Sequence, residues 1–158
     1  MSEVFTLEGD TLHIALPRQL TTVLLVALDE HAQRLVADGG SATAQVAPSV
    51  YPDGSEEALF AAATSSLRLD AARGDIQQAA DALVTGSAPA SDAAKIAAVF
   101  NLMRMSAARR LGRLGDPEPD VLDAPRLCDD DVANLGAAVV SELTHTLMGP
   151  TPPDPDGI

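Results

Sequence analysis

A chain of 158 residues can build one domain with a real core and is too short for two comfortable ones. Its 23 acidic residues outnumber 10 Lys and Arg to leave a net charge of −13. That balance argues against general nucleic-acid binding, because cations that neutralise phosphate supply most non-specific affinity.

A single lysine, Lys95, also excludes a flexible basic tail, so a protein is the default partner of such a surface. Ala, Leu and Val dominate the apolar residues, Trp is absent, and Phe5, Phe60, Phe100 and Tyr51 are the only aromatics. A core of such small side chains suits helices packed on helices. No run approaches the roughly 20 apolar residues of a membrane span. The opening MSEVFTLEGD lacks the basic and apolar regions of a signal peptide, so a cytoplasmic location is expected. Cys128 is alone, which leaves no intramolecular disulfide and no Cys-based zinc site.

In chain order, residues 4–16 (VFTLEGDTLHIAL) predict a β-hairpin turning at Gly9-Asp10. That register sets Leu7 opposite Leu12, Phe5 opposite Ile14 and Thr6 opposite His13, which sorts apolar and polar residues onto two faces. The apolar face then has to lie on helices or on a second copy of the chain. Pro17 opens a helix of roughly 20 residues, with Leu20, Leu24, Ala27, Leu28, His31 and Leu35 on one side. Gly39-Gly40 stop it, and residues 41–54 form a loop containing Pro48 and the turn Tyr51-Pro52-Asp53-Gly54. Ser55 is the expected N-cap of a helix buried through Leu59, Phe60, Ala63 and Leu67. A break near Gly74 is expected before a short helix over 75–86, buried through Ile76, Ala79, Ala80 and Leu83.

Beyond a loop at 86–91, Asp92 caps the most strongly patterned helix, with Ile96, Val99, Phe100, Met103, Ala107 and Leu111 on its buried face. An acidic, proline-broken linker (115–125) leads to a last helix from Asp129, striped by Val132, Leu135, Val139, Leu143 and Leu147. The expected architecture is mainly α with an N-terminal β-hairpin (α+β). It is a single helical domain of about five helices over residues 3–149, followed by a disordered tail at 150–158.

Four of the ten cations fall between Arg104 and Arg113. On a helical wheel Arg109 and Arg113 lie with Lys95 away from the apolar stripe, while Arg104 and Arg110 sit at its margins. Marginal arginines lay their stems over the core and seek carboxylates, Glu142 being one candidate. Arg109 and Arg113 also suit the negative end of their helix. A DNA-recognition helix would point polar side chains outward, whereas Leu102 and Met105 stand between these cations. The face fits another protein, or the other half of a homodimer, better than a DNA groove.

Nothing nominates a catalytic centre, and the expectation is a non-enzyme without metal or cofactor. His13, His31 and His145 fall in no metal-binding spacing, and His31 reads as an edge-of-core residue. Asp129-Asp130-Asp131 cannot converge on one ion, because consecutive helical residues point about 100° apart; capping and dipole neutralisation account for them. Cys128 precedes that helix start, where the dipole favours a thiolate and the aspartates oppose it.

The hairpin leading into a long helix at Pro17 resembles a family of small bacterial proteins typically encoded beside the protease adaptor ClpS. The Tyr51-Pro52-Asp53 turn, the Asn101-to-Gly112 stretch and a C-terminal helix after an acidic linker are similar to it too. The family is named for the oxidative stress transcriptional regulator AosR, and the resemblance spans roughly residues 4–148. It implies a regulator acting through contacts with the transcription machinery, with Arg104, Arg109 and Arg110 as contact or structural residues. The alternative it suggests is a structural or adaptor protein linked to Clp proteolysis. The chain would be a divergent member: Phe60–Ser66 reads FAAATSS in place of an arginine-bearing segment, and Leu102 replaces an acid. The family's tryptophans are missing as well. Its redox sensing uses two nearby cysteines, so here only an intermolecular Cys128 bond could keep thiol chemistry.

Overall fold

Alternating apolar residues at the start of the chain fold back on themselves and then onto helices. The computed structural model describes residues 4–37 and 54–148, and their side chains except those of 54–68. Strand β1 (Phe5–Glu8) pairs antiparallel with β2 (Thr11–Ile14) in the expected register, Phe5 opposite Ile14 and Leu7 opposite Leu12. Gly9, at φ +58°, supplies the left-handed first residue of the turn, a conformation that costs glycine little. Phe5, Leu12 and Ile14 are buried, and Thr146 Oγ1 of the last helix donates to the Phe5 carbonyl at 3.1 Å. Phe5, Leu12 and Ile14 of the hairpin's apolar face are therefore covered by the chain's own helices, while Leu7 at its end stays exposed.

Helix α1 (Arg18–Ala37) begins where the Pro17 carbonyl accepts the Thr21 N–H. Leu24, Ala27, Leu28, His31 and Leu35 are buried as their spacing predicts. Glu30 and Arg34 are buried with them, which the spacing does not predict.

The expected break at Gly74 does not occur. A single helix, α2, runs from Gly54 to Thr85 and replaces two of the predicted five, so the described residues hold four helices. Glycine inside a helix costs about 1 kcal/mol relative to alanine, which weakens a helix without ending it. Gly74 is solvent-exposed, whereas Ile76, Ala79, Ala82 and Leu83 beyond it enter the core and outweigh that cost. The helix starts one residue before Ser55, which is thus inside it and not its cap. It ends at Gly86, which takes φ +81° and donates to the Ala82 carbonyl.

The segment expected as a loop then forms a third strand, β3 (Ser87–Pro89), paired antiparallel with β2. Three residues are too few to show alternation, and an edge strand tolerates Pro89. A 3-10 turn (Ala90–Asp92) leads into α3 (Ala93–Arg110). Asp92 stands at the cap position, but its backbone is already helical and its side chain makes no capping bond. Ile96, Val99, Phe100, Met103 and Ala107 are buried, while Leu111, beyond the helix end, is exposed. Helix α4 (Asp129–Met148) buries Val132, Val139 and Leu143 and leaves Leu147 exposed. Gly39-Gly40, the loop over 41–53, the Leu59–Leu67 stripe and the tail at 150–158 lie outside what is described. One continuous core joins strands and helices, centred on Phe100, Leu12, Leu24, Leu28 and Leu143.

The most extensive interface in this core is that of α3 with α4, and Gly136 makes it possible. A Cβ at Gly136 would lie 2.7 Å from Arg104 Cβ and 3.2 Å from the Phe100 carbonyl oxygen. Both obstacles belong to the α3 backbone or its immediate substituents, so the helices themselves would have to separate. Gly136→Ala should therefore destabilise the chain by about 2 kcal/mol, despite alanine's better helix propensity. A thermal melt checks this: a drop of roughly 4–8 °C is expected, and an unchanged or raised midpoint would show that the helices part without cost.

Candidate functional site

The arginine-rich end of α3 is enclosed by the chain that follows it. Gly112 donates to the Arg109 carbonyl at 3.0 Å and Arg113 to the Ala108 carbonyl at 2.9 Å, the paired bonds of a Schellman turn. Gly112 takes φ +76° there, and a Cβ on it would meet Pro117 Cγ at 2.8 Å. The linker beyond this turn brings the first turn of α4 alongside α3, and with it three aspartates.

Arg110 Nε donates to Asp129 Oδ1 at 2.8 Å and its Nη1 to Ser106 Oγ at 2.8 Å. Only 7% of the Arg110 side chain is exposed, so its charge is held in place rather than offered to a partner. Arg113 pairs with Asp130, with both side chains about half exposed, a contact that solvent screens. Asp129 and Asp130 thus have a second role beside that of favouring a helix start. The marginal position predicted for Arg110 leads to a carboxylate as expected, though to Asp129. Arg104 differs: its Nε donates to Asn101 Oδ1 at 2.8 Å in its own helix, not to Glu142. Its stem lies over Gly136 instead.

Arg109 and Lys95 lie off the buried stripe, as the helical wheel places them. There they line one pocket with Leu102, between α3 and helices α1 and α2, which the wheel does not foresee. Lys95 Nζ stands 3.9 Å from Asp75 Oδ1 of α2. Arg109 has no carboxylate at ion-pair distance among the described residues. His31 opens into the same pocket and is more deeply placed than the edge-of-core position expected, at 5% exposure. Burial, reinforced by the Arg110 and Arg34 charges, pushes its pKa down to about 4, so the imidazole is neutral at pH 7.

A second set of polar contacts escapes sequence reading altogether. The linker lies across α1, held by carboxylates and guanidiniums about ninety positions apart. Arg34 donates through Nε and Nη2 to both oxygens of Asp120, at 3.0 and 2.9 Å. The buried Glu30 carboxylate accepts the N–H groups of Arg126 and Leu127, and Arg126 Nη2 reaches Asp29 Oδ2. Arg34 holds the Asp120 carboxyl below the usual carboxylate range. The only local signal was Glu30 and Arg34 one turn apart on the helix, a spacing equally common on solvent-facing surfaces.

Cys128 is exposed beside the start of α4, where its carbonyl accepts the Val132 N–H. His13 pairs with Glu8 on the open face of the hairpin. Among the described residues no three His, Cys, Asp or Glu side chains converge as metal ligands, and no helix is long and apolar enough to cross a membrane. Comparison of the chain with protein-family models, with curated proteins and with solved structures gives no match.

Proposed function

We propose that the chain is a non-catalytic cytoplasmic regulator that works through protein contacts, in the manner of the oxidation-responsive family its sequence resembles. The observation that carries this reading is where its guanidinium groups are directed. Arg34, Arg110, Arg113 and Arg126 are each paired with an aspartate of the chain itself and Lys95 faces Asp75, so half of the ten cations already have an acid beside them and less charge is left to follow a phosphate backbone. Near the end of α3 the chain instead exposes the apolar side chains Leu102, Leu111 and Leu114, beside Arg109 and Arg113. Apolar anchors with a charged surround favour a polypeptide partner. A homodimer would use this Leu102 surface or the hairpin edge at exposed Leu7, and a sedimentation run at tens of micromolar would read it. Thiol sensing, if retained, runs through an intermolecular bond of the exposed Cys128.

Retention on the immobilised full chain tests the reading. RNA polymerase subunits retained from a bacterial extract, and lost when Leu102 and Leu114 are changed to Ser, are the expected result. Retention of a Clp component would favour the proteolysis adaptor instead. A salt-sensitive mobility shift with DNA that weakens in Arg109→Ala would overturn the protein-contact reading.

A further inference from the structure

The face of α3 that carries Lys95, Val99, Leu102 and Arg109 does not close against α1 and α2. It leaves a pocket of about 100 Å³. Its back is made by His31, Leu35, Ile76 and Val99, all buried, while Leu102 and Ala98 stand at the exposed mouth. Among the described residues the charged groups of the lining, Asp75, Lys95 and Arg109, are all at least partly exposed, and their sum has an unexpected sign. Lys95 and Asp75 oppose each other, which leaves the Arg109 guanidinium as a net positive charge on a chain of net charge −13. Four other arginines have an aspartate partner, whereas Arg109, like Arg18, Arg73 and Arg104, has none among the described residues, and of these four it is the one that lines this pocket.

We propose that this pocket binds a small monocarboxylic acid, its carboxylate on Arg109 and its hydrocarbon body against Leu35, Ile76, Val99 and Leu102. A guanidinium recognises a carboxylate through two parallel N–H bonds, which suits one anionic group at the rim. The size fits a short body: a dry apolar cavity of about 150 Å³ accepts benzene, so four to six carbons is the scale. The back of the pocket admits no second charge. A dicarboxylate would have to place an anion against buried aliphatic groups and a neutral imidazole, at the cost of desolvation without a partner. This inference stands whether or not the chain contacts the transcription machinery, since it depends on the pocket alone.

Hexanoate, hexanamide and adipate titrated into the full chain at pH 7, read by amide NMR shifts, make the test. Hexanoate should saturate with a Kd on the order of 1 mM, as befits eight heavy atoms. Hexanamide and adipate should each bind about tenfold more weakly. Arg109→Gln should lower hexanoate affinity to that of hexanamide and leave hexanamide unchanged. Ala98→Phe, a change at an exposed position, should block both by filling the mouth. No hexanoate shifts at 10 mM, equal affinity for acid and amide, or indifference to Arg109→Gln would each overturn the proposal. So would a chain that sediments as a dimer with hexanoate excluded, since a second copy would then be the occupant.

Discussion

Replacing Arg34 with alanine is expected to cost about 3–5 kcal/mol, the largest effect of any single change away from the central hydrophobic residues. Arg34 is 6% exposed and grips both oxygens of a carboxylate on a segment with no regular structure. Its removal leaves Asp120 partly buried without its partner, and an unpaired charge in that setting costs more than the pair contributes. It also frees the linker, because Asp120 in turn accepts the Leu122 N–H at 3.0 Å and shapes the local turn. Urea unfolding should show the loss directly, and brief proteolysis should cut the variant first between residues 114 and 127. The double change Arg34→Met with Asp120→Leu should recover most of the stability, since it removes both charges and keeps the volume. The pH dependence carries a sign. Asp120 titrates below its ordinary value of 3.8, so its contribution is complete above that value and lost as pH falls through the lowered one. The part of the gap between parent and Arg34→Ala that is due to Asp120 should hold from pH 7 to about 4 and close below it, while the smaller effect of Arg34 on His31 narrows the gap from about pH 6.5 downward. A loss under 1 kcal/mol would mean that the pair behaves like a surface contact.

Local periodicity made much of this architecture legible, and distance along the chain concealed the rest. The hairpin register was readable because residues 5–14 alternate cleanly around a glycine turn, and both strands lie within that span. The buried stripes of α1, α3 and α4 followed from spacing, since a helix places residues three and four apart on one side. Gly74 misled because a breaker residue reports only local preference, and its neighbours Ile76 and Ala79 have tertiary partners that override it. β3 was hidden for the opposite reason: three residues between Gly86 and Ala90 carry no period, and only the waiting edge of β2 makes them a strand. At the candidate site, composition foretold that arginines would meet acids, which holds for Arg110 and Arg113 and fails for Arg104, which meets Asn101, and for Arg109. It could not say which acids, because Asp120 reaches Arg34 across 86 positions and Asp129 reaches Arg110 across a proline-broken linker. The wheel put Arg109 and Lys95 off the buried stripe, where they are, but could not show the pocket beside them. A helix has one apolar stripe on paper, but α3 has neighbours on two sides, and its second contact face is the half-open pocket.

Acid should unfold this chain sooner than its carboxylates alone would require, through His31. In the unfolded chain that imidazole takes a proton near 6.5, whereas in the fold burial and two guanidiniums delay it to about 4. Between those values the unfolded state binds a proton that the folded state refuses, so stability falls as pH falls. At about 1.4 kcal/mol per pH unit the loss approaches 3 kcal/mol by pH 4. His31→Gln removes the titration. At pH 7 it should be the less stable protein, having a poorer fit to a buried site, and its deficit should close or reverse as pH drops to 4.5. Urea midpoints at pH 7, 6, 5 and 4.5 read this directly, and parallel curves for parent and variant would show that His31 charges readily in the fold. The same titration in Arg34→Ala separates the two causes. Burial, the larger one, remains in that variant and only one of the two cationic neighbours is gone. Its acid loss above pH 4.5 should therefore shrink relative to the parent without vanishing, whereas complete loss of the pH dependence would place the charge of Arg34 ahead of burial.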